Sequence, residues 1–487
     1  MRISSIIPCV RNANGSGHEQ RRQTDGPGKD EVNRMNDFRK TAQEMLEFIR
    51  ISPTCFHAVA NIGRMLEAAG FQQLQEKEEW KLEKGGRYYT ERNDSSVIAF
   101  VIPEKEVGIR GFHMAAAHSD SPCFKIKEKP ELTVEEHYLR LNTEKYGGMI
   151  LSTWLDRPLS VAGRLAVKNG NGIEGRLVNI DRDLCVIPNV AIHMNREMNK
   201  GVEYNPQVDL LPLLADVSFD EYDAHTTYDA QTASENAEEQ PETVEKPTLV
   251  ALAAEAAGVD AETILGEDLF LYTRQEGKMI GAKGEFVLSP RLDDLQSAFA
   301  LTKAFTESTP AEFINLCAVF DIDEVGSGTR QGADSTFLED ALQRITEGLQ
   351  EGHSTYQRWV ADSFLISADN AHAVHPNHPE KADPANRPYL NGGIVIKYHG
   401  GQKYTTDGIS AAKMKDYCER AKVPYQTYAN RSDIAGGSTL GNISTAHVSV
   451  SSVDIGLPQL AMHSAVETAG MKDTEYAVRA LKEFWGE

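Results

Sequence analysis

Adjacent carboxylates follow a strongly apolar run in 319-VFDIDEVGSG-328. Asp321, Asp323 and Glu324 all stand just after residues that have the pattern of a buried strand. A carboxylate can hold a divalent metal ion, and it can also take a proton from water as a general base. Of two adjacent carboxylates, one can therefore hold a metal ion while the other takes a proton, although an acidic turn after a strand is the plainer interpretation of the stretch alone. The stretch leaves open which of Asp323 and Glu324 holds metal and which moves the proton.

Other apolar runs also contain side chains that bind metals. These are His118 and Asp120 in 112-FHMAAAHSD-120, Asp369 in 363-SFLISAD-369, Asp293 in 289-SPRLDDLQ-296 and His463 in 459-QLAMHSAVETAG-470. Each alone is more often a core histidine or a turn residue. Sites in open α/β sheets, however, form outside the carboxyl ends of the strands, so these side chains can converge. Two histidines with several carboxylates suit zinc, and a bridging carboxylate suits a site with two metal ions.

His118 and Asp120 have a further relationship to each other. Residues two apart in a strand point to the same face of the sheet. Asp120 is therefore predicted to lie behind His118, where its carboxylate can accept the second ring N–H and fix the tautomer that binds metal.

The elements that position these residues alternate between strand and helix. Apolar residues recur at helical spacing over 37–70, whereas short β-like runs dominate 124–285. From residue 286 onward strand and helix alternate again, which predicts an α/β fold with helices covering a mostly parallel or mixed sheet. We therefore predict one discontinuous domain formed by 35–123 and 286–487, with a β-rich domain inserted at 124–285.

Two segments lack such a pattern. Residues 1–34 are polar and glycine-rich, and we interpret them as a disordered N-terminal extension. Residues 216–246 are low in complexity and strongly acidic, and we predict a mobile surface loop there.

Composition narrows the class of protein. The chain has 487 residues and a formal net charge of −22, which argues against binding to nucleic acids or to anionic membranes. No apolar run approaches the 18 or so residues of a membrane helix. The cysteines are scattered, and Cys317 has the setting of a small buried hydrophobe. We therefore expect a cytoplasmic protein without a disulfide framework.

Taken together, the stretches quoted above resemble the aspartyl aminopeptidases, a family of cytosolic metallopeptidases with two zinc ions. The similarity extends from Met35 to the C-terminus. The matching stretches, in order, are SPTCFHAV, AAHSDSP, TWLDRPLSVAGR, AIHMNR, PRLDDL, DEVGSGTRQGADS, SADNAHAVHPNHP, GGSTLG and LAMHSAVETAG. The resemblance implies a three-layer α/β/α catalytic domain with an inserted β-rich dimerisation domain. It also implies an aminopeptidase that removes an N-terminal residue, Asp or Glu, from peptides.

The resemblance assigns the candidate ligands to two metal ions. His118, Asp293 and Asp369 would hold the first ion. Asp293, Glu324 and His463 would hold the second, so that Asp293 bridges the pair.

The resemblance also separates the roles in the acidic stretch. Asp120 would orient His118, and Glu324 would hold metal. Asp323 matches the general base of the family. That base is normally Glu, so the family motif reads Glu-Glu where this chain reads Asp-Glu.

An acidic substrate would have to be drawn in by a local cation, because the net charge of the chain is negative. By resemblance, Lys397 and Tyr404 match positions that contact an acidic side chain of the substrate. The alternative for Lys397 is an exposed lysine on the surface of a strand. Gly436 and Gly437 would allow the backbone to approach a peptide closely.

His193 lies in the inserted region, within 191-AIHMNR-196. The resemblance implies that this domain dimerises and places such a histidine in the active site of the neighbouring subunit. It also implies a tetrahedral homododecamer whose closed interior admits peptides. A core or turn histidine is the alternative for His193.

Two rival functions remain open. The first is the same fold with a neutral, leucine-type preference. The second is a weakly active, metal-binding assembly or cargo protein, because an Asp at 323 ends roughly 1.5 Å nearer the backbone than a Glu, and a misplacement of about 1 Å can cost on the order of 100-fold in rate. Zinc is the expected metal, although such ligands also accept cobalt or manganese.

Overall fold

The computed structural model describes residues 29–104, 108–217 and 248–487. The strands are β1 (Gln72–Gln73), β2 (Arg87–Arg92), β3 (Ser96–Val101), β4 (Phe112–His118), β5 (Cys123–Val134), β6 (Tyr138–Tyr146), β7 (Leu159–Asn169), β8 (Gly172–Asn179), β9 (Leu213–Asp216), β10 (Ile264–Thr273), β11 (Lys278–Ile280), β12 (Phe286–Ser289), β13 (Ile314–Phe320), β14 (Phe364–Ala368), β15 (Ala371–His372), β16 (Ile394–Tyr398), β17 (Tyr425–Ala429), β18 (Ser451–Gly456), β19 (Pro458–Leu460) and β20 (Glu467–Gly470). The helices are α1 (Lys29–Arg50), α2 (Cys55–Ala68), α3 (Pro206–Asp209), α4 (Leu249–Ala257), α5 (Leu292–Thr306), α6 (Phe337–Gly348), α7 (His353–Asp362), α8 (Gly408–Arg420), α9 (Leu440–His447) and α10 (Asp473–Trp485).

The central sheet is mixed, with the strand order β1-β2-β3-β13-β4-β14-β18-β16-β17 in the part of the chain that the structure describes. Its middle strands β13, β4, β14 and β18 run parallel to one another. The carboxyl ends of these strands therefore open on the same edge of the sheet.

Helices cover both faces of the central sheet. In β4, Ala115 and Ala117 pack into the apolar core beneath α1, α5 and α10, whereas Met114 and Ala116 pack into the core beneath α6 and α7. This two-residue alternation follows from the pleat of the strand. The predicted three-layer α/β/α class is confirmed, and Cys317 of β13 is a buried core residue as expected.

The inserted region builds its own sheet, in the order β8-β7-β10-β5-β6-β9, around a separate apolar core. A smaller sheet has the order β11-β12-β20-β19-β15. Within it, Lys278–Ile280 pairs with Phe286–Ser289, which pairs in turn with Glu467–Gly470 near the C-terminus. The domain boundary predicted at residue 285 therefore falls inside this sheet. Strand β11 precedes the boundary, and β12, with which it pairs, follows it.

Both segments predicted to lack structure need a correction. Helix α1 begins at Lys29, so residues 29–34 are helical rather than disordered, and 1–28 lie outside the described residues. The predicted acidic loop starts at 216, but Asp216 pairs with Tyr138 at the end of β9. Residues 218–247 lie outside the described part of the chain. Among the described residues, none of the helices has the length and apolar character needed to cross a membrane.

Candidate metal centre

The parallel strands carry the predicted ligands to one edge of the central sheet. His118 ends β4, Glu324 follows β13 and Asp369 follows β14. Asp293 stands at the start of α5, and His463 lies in the connection between β19 and β20. All five line one cavity of about 400 Å³.

The donor atoms of these side chains form two groups. In the first, His118 Nε2 lies 3.7 Å from Asp293 Oδ1 and 3.9 Å from Asp369 Oδ1. In the second, His463 Nε2 lies 3.3 Å from Asp293 Oδ2 and 3.4 Å from Glu324 Oε1. Asp293 therefore directs one carboxylate oxygen toward each group.

The separations in the second group fit a bound metal ion, and those in the first group are slightly wider. Bonds of about 2.0–2.2 Å in tetrahedral geometry place neighbouring donor atoms roughly 3.3–3.6 Å apart. The second group has 3.3 and 3.4 Å, and the first has 3.7 and 3.9 Å. The Oδ1 atoms of Asp293 and of its neighbour Asp294 are buried without a hydrogen-bond partner in the described residues. A buried carboxylate oxygen without a partner is costly, so a cation at this point would complete the site.

Each candidate ligand histidine is held through its Nδ1 atom. His118 Nδ1 lies 3.1 Å from the backbone oxygen of Asp120 and 3.3 Å from its carboxylate Oδ1. His463 Nδ1 lies 2.8 Å from the backbone oxygen of Gly148. These acceptors favour the tautomer with the proton on Nδ1, which leaves Nε2 free to bind metal.

The statistical model of the family described as aminopeptidase I zinc metalloprotease (M18) matches residues 48–485. The chain belongs to this family. It is 46% identical over 448 residues to the probable M18 family aminopeptidase 2 of Clostridium novyi (strain NT), which covers 92% of this chain and 98% of that protein.

Solved structures agree with this membership. A chain in the cryo-EM structure of the Ape4 and Nbr1 complex is 36% identical, with a TM-score of 0.84, over 93% of this chain and 86% of that one. A chain of the S. cerevisiae mApe1 dodecamer is 25% identical, with a TM-score of 0.76, over 92% of this chain and 97% of that one. The predicted zinc aminopeptidase activity is therefore confirmed at the level of the M18 family.

In this M18 chain, the acidic stretch 321–324 separates into distinct positions. Asp321 is buried, and its Oδ1 accepts the N–H of Ile322, so this carboxylate caps the turn. Asp323 lines the cavity, and its Oδ1 accepts a 3.1 Å hydrogen bond from the Ser327 hydroxyl. Burial raises the pKa of the Asp323 carboxyl to about 6, against the opposing effect of nearby His118.

Asp120 joins the two sides of the centre. Besides facing His118, its carboxylate accepts the backbone N–H of Asp323 and the backbone N–H of Glu324, each at 3.1 Å. The end of β4 thus fixes the turn that follows β13. The Asp120 carboxylate therefore contacts His118 and also the backbone of both Asp323 and Glu324.

The substrate-side candidates have different placements. Lys397 is only 3% exposed and lines the cavity, so the alternative of a surface lysine is wrong. Tyr404 and Gly437 also line the cavity. Gly436 has a φ of +65° and packs so closely on Asn430 that a side chain at 436 would collide with it.

His193 is exposed in the inserted region and is not among the residues that line the cavity. Within one chain it therefore does not join the centre.

Two acidic residues of the site were missed by the sequence reasoning. The carboxylate of Glu467 accepts the backbone N–H of Asp293 at 3.0 Å and that of His463 at 2.7 Å, and Asp294 Oδ2 accepts the backbone N–H of His118 at 3.2 Å. The sequence marks both residues only weakly. Asp294 is a second Asp directly after Asp293 in PRLDDL, and Glu467 stands four residues after His463 in HSAVE.

Proposed function

We propose that the chain is a two-metal aminopeptidase that removes an N-terminal Asp or Glu from peptides. The observation that carries the proposal is the buried ammonium of Lys397 in the wall of the cavity that gathers the metal-type donor atoms. The cavity thus combines a place for metal ions with a cation for an acidic side chain. The M18 family membership supports the aminopeptidase chemistry.

The two carboxylate oxygens of Asp293 are the argument for two metal ions rather than one. Its Oδ1 belongs to the group with His118 and Asp369, and its Oδ2 belongs to the group with His463 and Glu324. Bound zinc would supply Lewis acidity, which polarises a carbonyl and makes water easier to deprotonate. Cobalt and manganese accept similar ligands, so we propose zinc as the native metal because the donor set and the family both suit it.

Asp323 is the proposed general base. It lines the cavity beside Glu324 and has no place in either group of donor atoms. Its carboxylate would take a proton from the attacking water and return it to the leaving amine. The hydrogen bond from Ser327 holds one of its oxygens, so the other oxygen is available for the proton.

The acidic preference depends on the surroundings of Lys397. Its Nζ lies 3.2 Å from Asp369 Oδ2 and 5.4 Å from the centre of the Tyr404 ring. Burial opposes the charged form of Lys397, but the neighbouring Asp369 raises the pKa of the ammonium above its usual value, so the lysine stays cationic. An ammonium has three donors, and a substrate carboxylate can accept one that Asp369 does not use.

Lys397→Met tests the acidic preference, because methionine keeps most of the stem and removes the charge. We expect kcat/KM for Asp- and Glu-anilides to fall about 100-fold, since losing one partner of a desolvated charge pair typically costs 2 kcal/mol or more. Turnover of Leu-anilide should change by less than about threefold. The measurement is a steady-state kinetic panel on all three substrates.

The matched control is Lys403→Met. Lys403 is an exposed lysine six residues after Lys397, and its ammonium donates to the backbone oxygen of Gly436. This variant should leave the ratio of acidic to neutral turnover unchanged. An equal loss on Asp- and Leu-anilide in Lys397→Met would contradict the acidic preference, because Lys397 would then serve only to hold Asp369. Wild-type protein that prefers Leu-anilide would support the neutral alternative, and wild-type protein with little turnover on any anilide would support a weakly active assembly protein.

We further propose self-association through the inserted domain, in a homododecamer that brings His193 to the site of a neighbouring subunit. Exposed apolar side chains stand beside His193, with Ile192 46% and Met194 82% exposed. The mApe1 structure named above is a dodecamer, and this chain covers 97% of its chain. Sedimentation velocity should show a particle of twelve chains, and a stable monomer with full activity would contradict the proposal.

A further inference from the structure

We infer that the segment Tyr146-Gly147-Gly148, at the end of strand β6 in the inserted domain, is a positioning element for both groups of metal ligands, with the Tyr146 hydroxyl as its main contact. The inference rests on the ligand assignment of the proposed function. It assigns the inserted domain a part in building the metal centre within the same chain.

Tyr146 supports the side of the centre that contains His118. Its hydroxyl donates a 2.8 Å hydrogen bond to Asp120 Oδ2, and its ring packs edge-to-face on Phe270 at 5.6 Å. Oδ2 of Asp120 also accepts the backbone N–H of Glu324, while Oδ1 faces His118. Loss of the Tyr146 hydroxyl would leave Asp120 with fewer donors and more freedom to turn away from the histidine.

Gly147 brings the chain close to Glu324. Its φ is +80°, which favours glycine. A side chain at 147 would begin 3.1 Å from the Cβ of Glu324 and 3.3 Å from the Cβ of Pro122. The backbone of the inserted domain therefore passes directly behind a proposed metal ligand, and a side chain at 147 would have to push Glu324 or Pro122 aside by a few tenths of an ångström.

Gly148 supports the other histidine. Its backbone oxygen lies 2.8 Å from His463 Nδ1 and accepts the ring N–H. A second hydrogen bond joins the same two segments, because the backbone N–H of Ile150 donates to the backbone oxygen of His463 at 2.9 Å. Three consecutive residues thus contact the partner of His118, the ligand Glu324 and the ligand His463.

Tyr146→Phe tests the inference, because it removes one hydroxyl and keeps the ring against Phe270. Hydrogen-bond partners of metal ligands typically contribute 10- to 100-fold in metal affinity or activity. We expect zinc binding to the metal-free chain, measured by competition with a chromophoric chelator, to weaken about 10-fold or more. With saturating zinc, kcat on Asp-anilide should also fall, while KM changes by less than about threefold.

Tyr272→Phe is the matched control. Tyr272 is a buried tyrosine of the same domain, and its hydroxyl donates to Asn179 Oδ1 at 2.7 Å and accepts from Arg274 at 3.2 Å, so its two hydrogen-bond partners are neither Asp120 nor a proposed metal ligand. This variant should keep wild-type zinc affinity and kcat. Zinc affinity that is unchanged in Tyr146→Phe, or lowered equally in both variants, would overturn the inference, because the hydroxyl would then only help to pack the domain.

Gly147→Ala provides a second variant if Tyr146→Phe does not fold. The added methyl group should push on Glu324 and weaken zinc binding, while unchanged zinc affinity in a folded Gly147→Ala protein would overturn the inference. Failure of the proposed function is seen separately, in the wild-type chain itself. There it would show as an absence of zinc binding, or as no aminopeptidase turnover with zinc bound.

Discussion

Replacing Asp293 by asparagine is expected to remove nearly all bound metal and to lower kcat/KM by about 10⁴-fold or more. Asp293 is a proposed ligand whose two oxygens face different groups of donor atoms, with Oδ1 at 3.7 Å from His118 Nε2 and Oδ2 at 3.3 Å from His463 Nε2. An amide has a single oxygen and no charge, so it cannot bridge two cations. A metal ion in such a site lowers the pKa of bound water to about 7, so losing the metal ions should abolish hydrolysis.

The measurement is the metal content of the purified protein after reconstitution with zinc, cobalt or manganese, determined by inductively coupled plasma mass spectrometry. Wild-type protein should carry two ions per chain and Asp293→Asn fewer than one. Added zinc should raise the unfolding temperature of the wild type by mass action, and this rise should be lost in the variant.

Asp473→Asn is the matched control for losing a buried carboxylate. Asp473 is fully buried and accepts the backbone N–H groups of Asn391 and Gly393, outside the cavity. Its variant should be less stable but should retain two metal ions. A single ion in wild-type protein, or two ions in Asp293→Asn, would contradict the bridging role.

The convergence of the candidate ligands at strand ends could be predicted because their signal is local. His118 and Asp369 each end an apolar run, and parallel strands bring such ends to one edge. Asp120 does lie beside the Nδ1 atom of His118 as predicted, but β4 ends at His118, so the two-residue period of a strand does not account for the position. Asp293 and His463 were also candidates from their residue types, but neither stands at the end of a strand of the central sheet, so their assignment to particular metal ions depended on the family resemblance.

The remaining contacts could not be predicted because they depend on backbone atoms and on distant parts of the chain. The backbone oxygen of Gly148 has no residue type that marks it as the acceptor for His463. The carboxylate of Glu467 accepts the backbone N–H groups of Asp293 and His463. The pairing of β12 with β20 brings Glu467 close to the segment that contains Asp293. The burial of Lys397 likewise depends on the strands that flank β16, so a single lysine in IVIKY could equally have been exposed.

Replacing Asp323 by asparagine is expected to lower kcat by 10²- to 10⁴-fold while both metal ions stay bound. An amide cannot take a proton from water, and a positioned general base typically contributes a factor of that size. The hydrogen bond from Ser327 to Oδ1 can still form, because an asparagine oxygen also accepts. Unchanged kcat with full metal content would show that another group moves the proton.

Asp323→Glu tests whether the shorter carboxylate suits its surroundings. Glutamate ends roughly 1.5 Å farther from the backbone, and a misplacement of about 1 Å can cost on the order of 100-fold. The Ser327 hydroxyl meets the present carboxylate at 3.1 Å, and the Asp323 backbone N–H is tied to Asp120, so the turn has little freedom to absorb a longer side chain. We therefore expect kcat to fall about 10-fold or more in Asp323→Glu, with two metal ions retained. A gain of similar size would instead show that the native aspartate does not reach the attacking water. The wild-type chain would then be the weaker catalyst of the two.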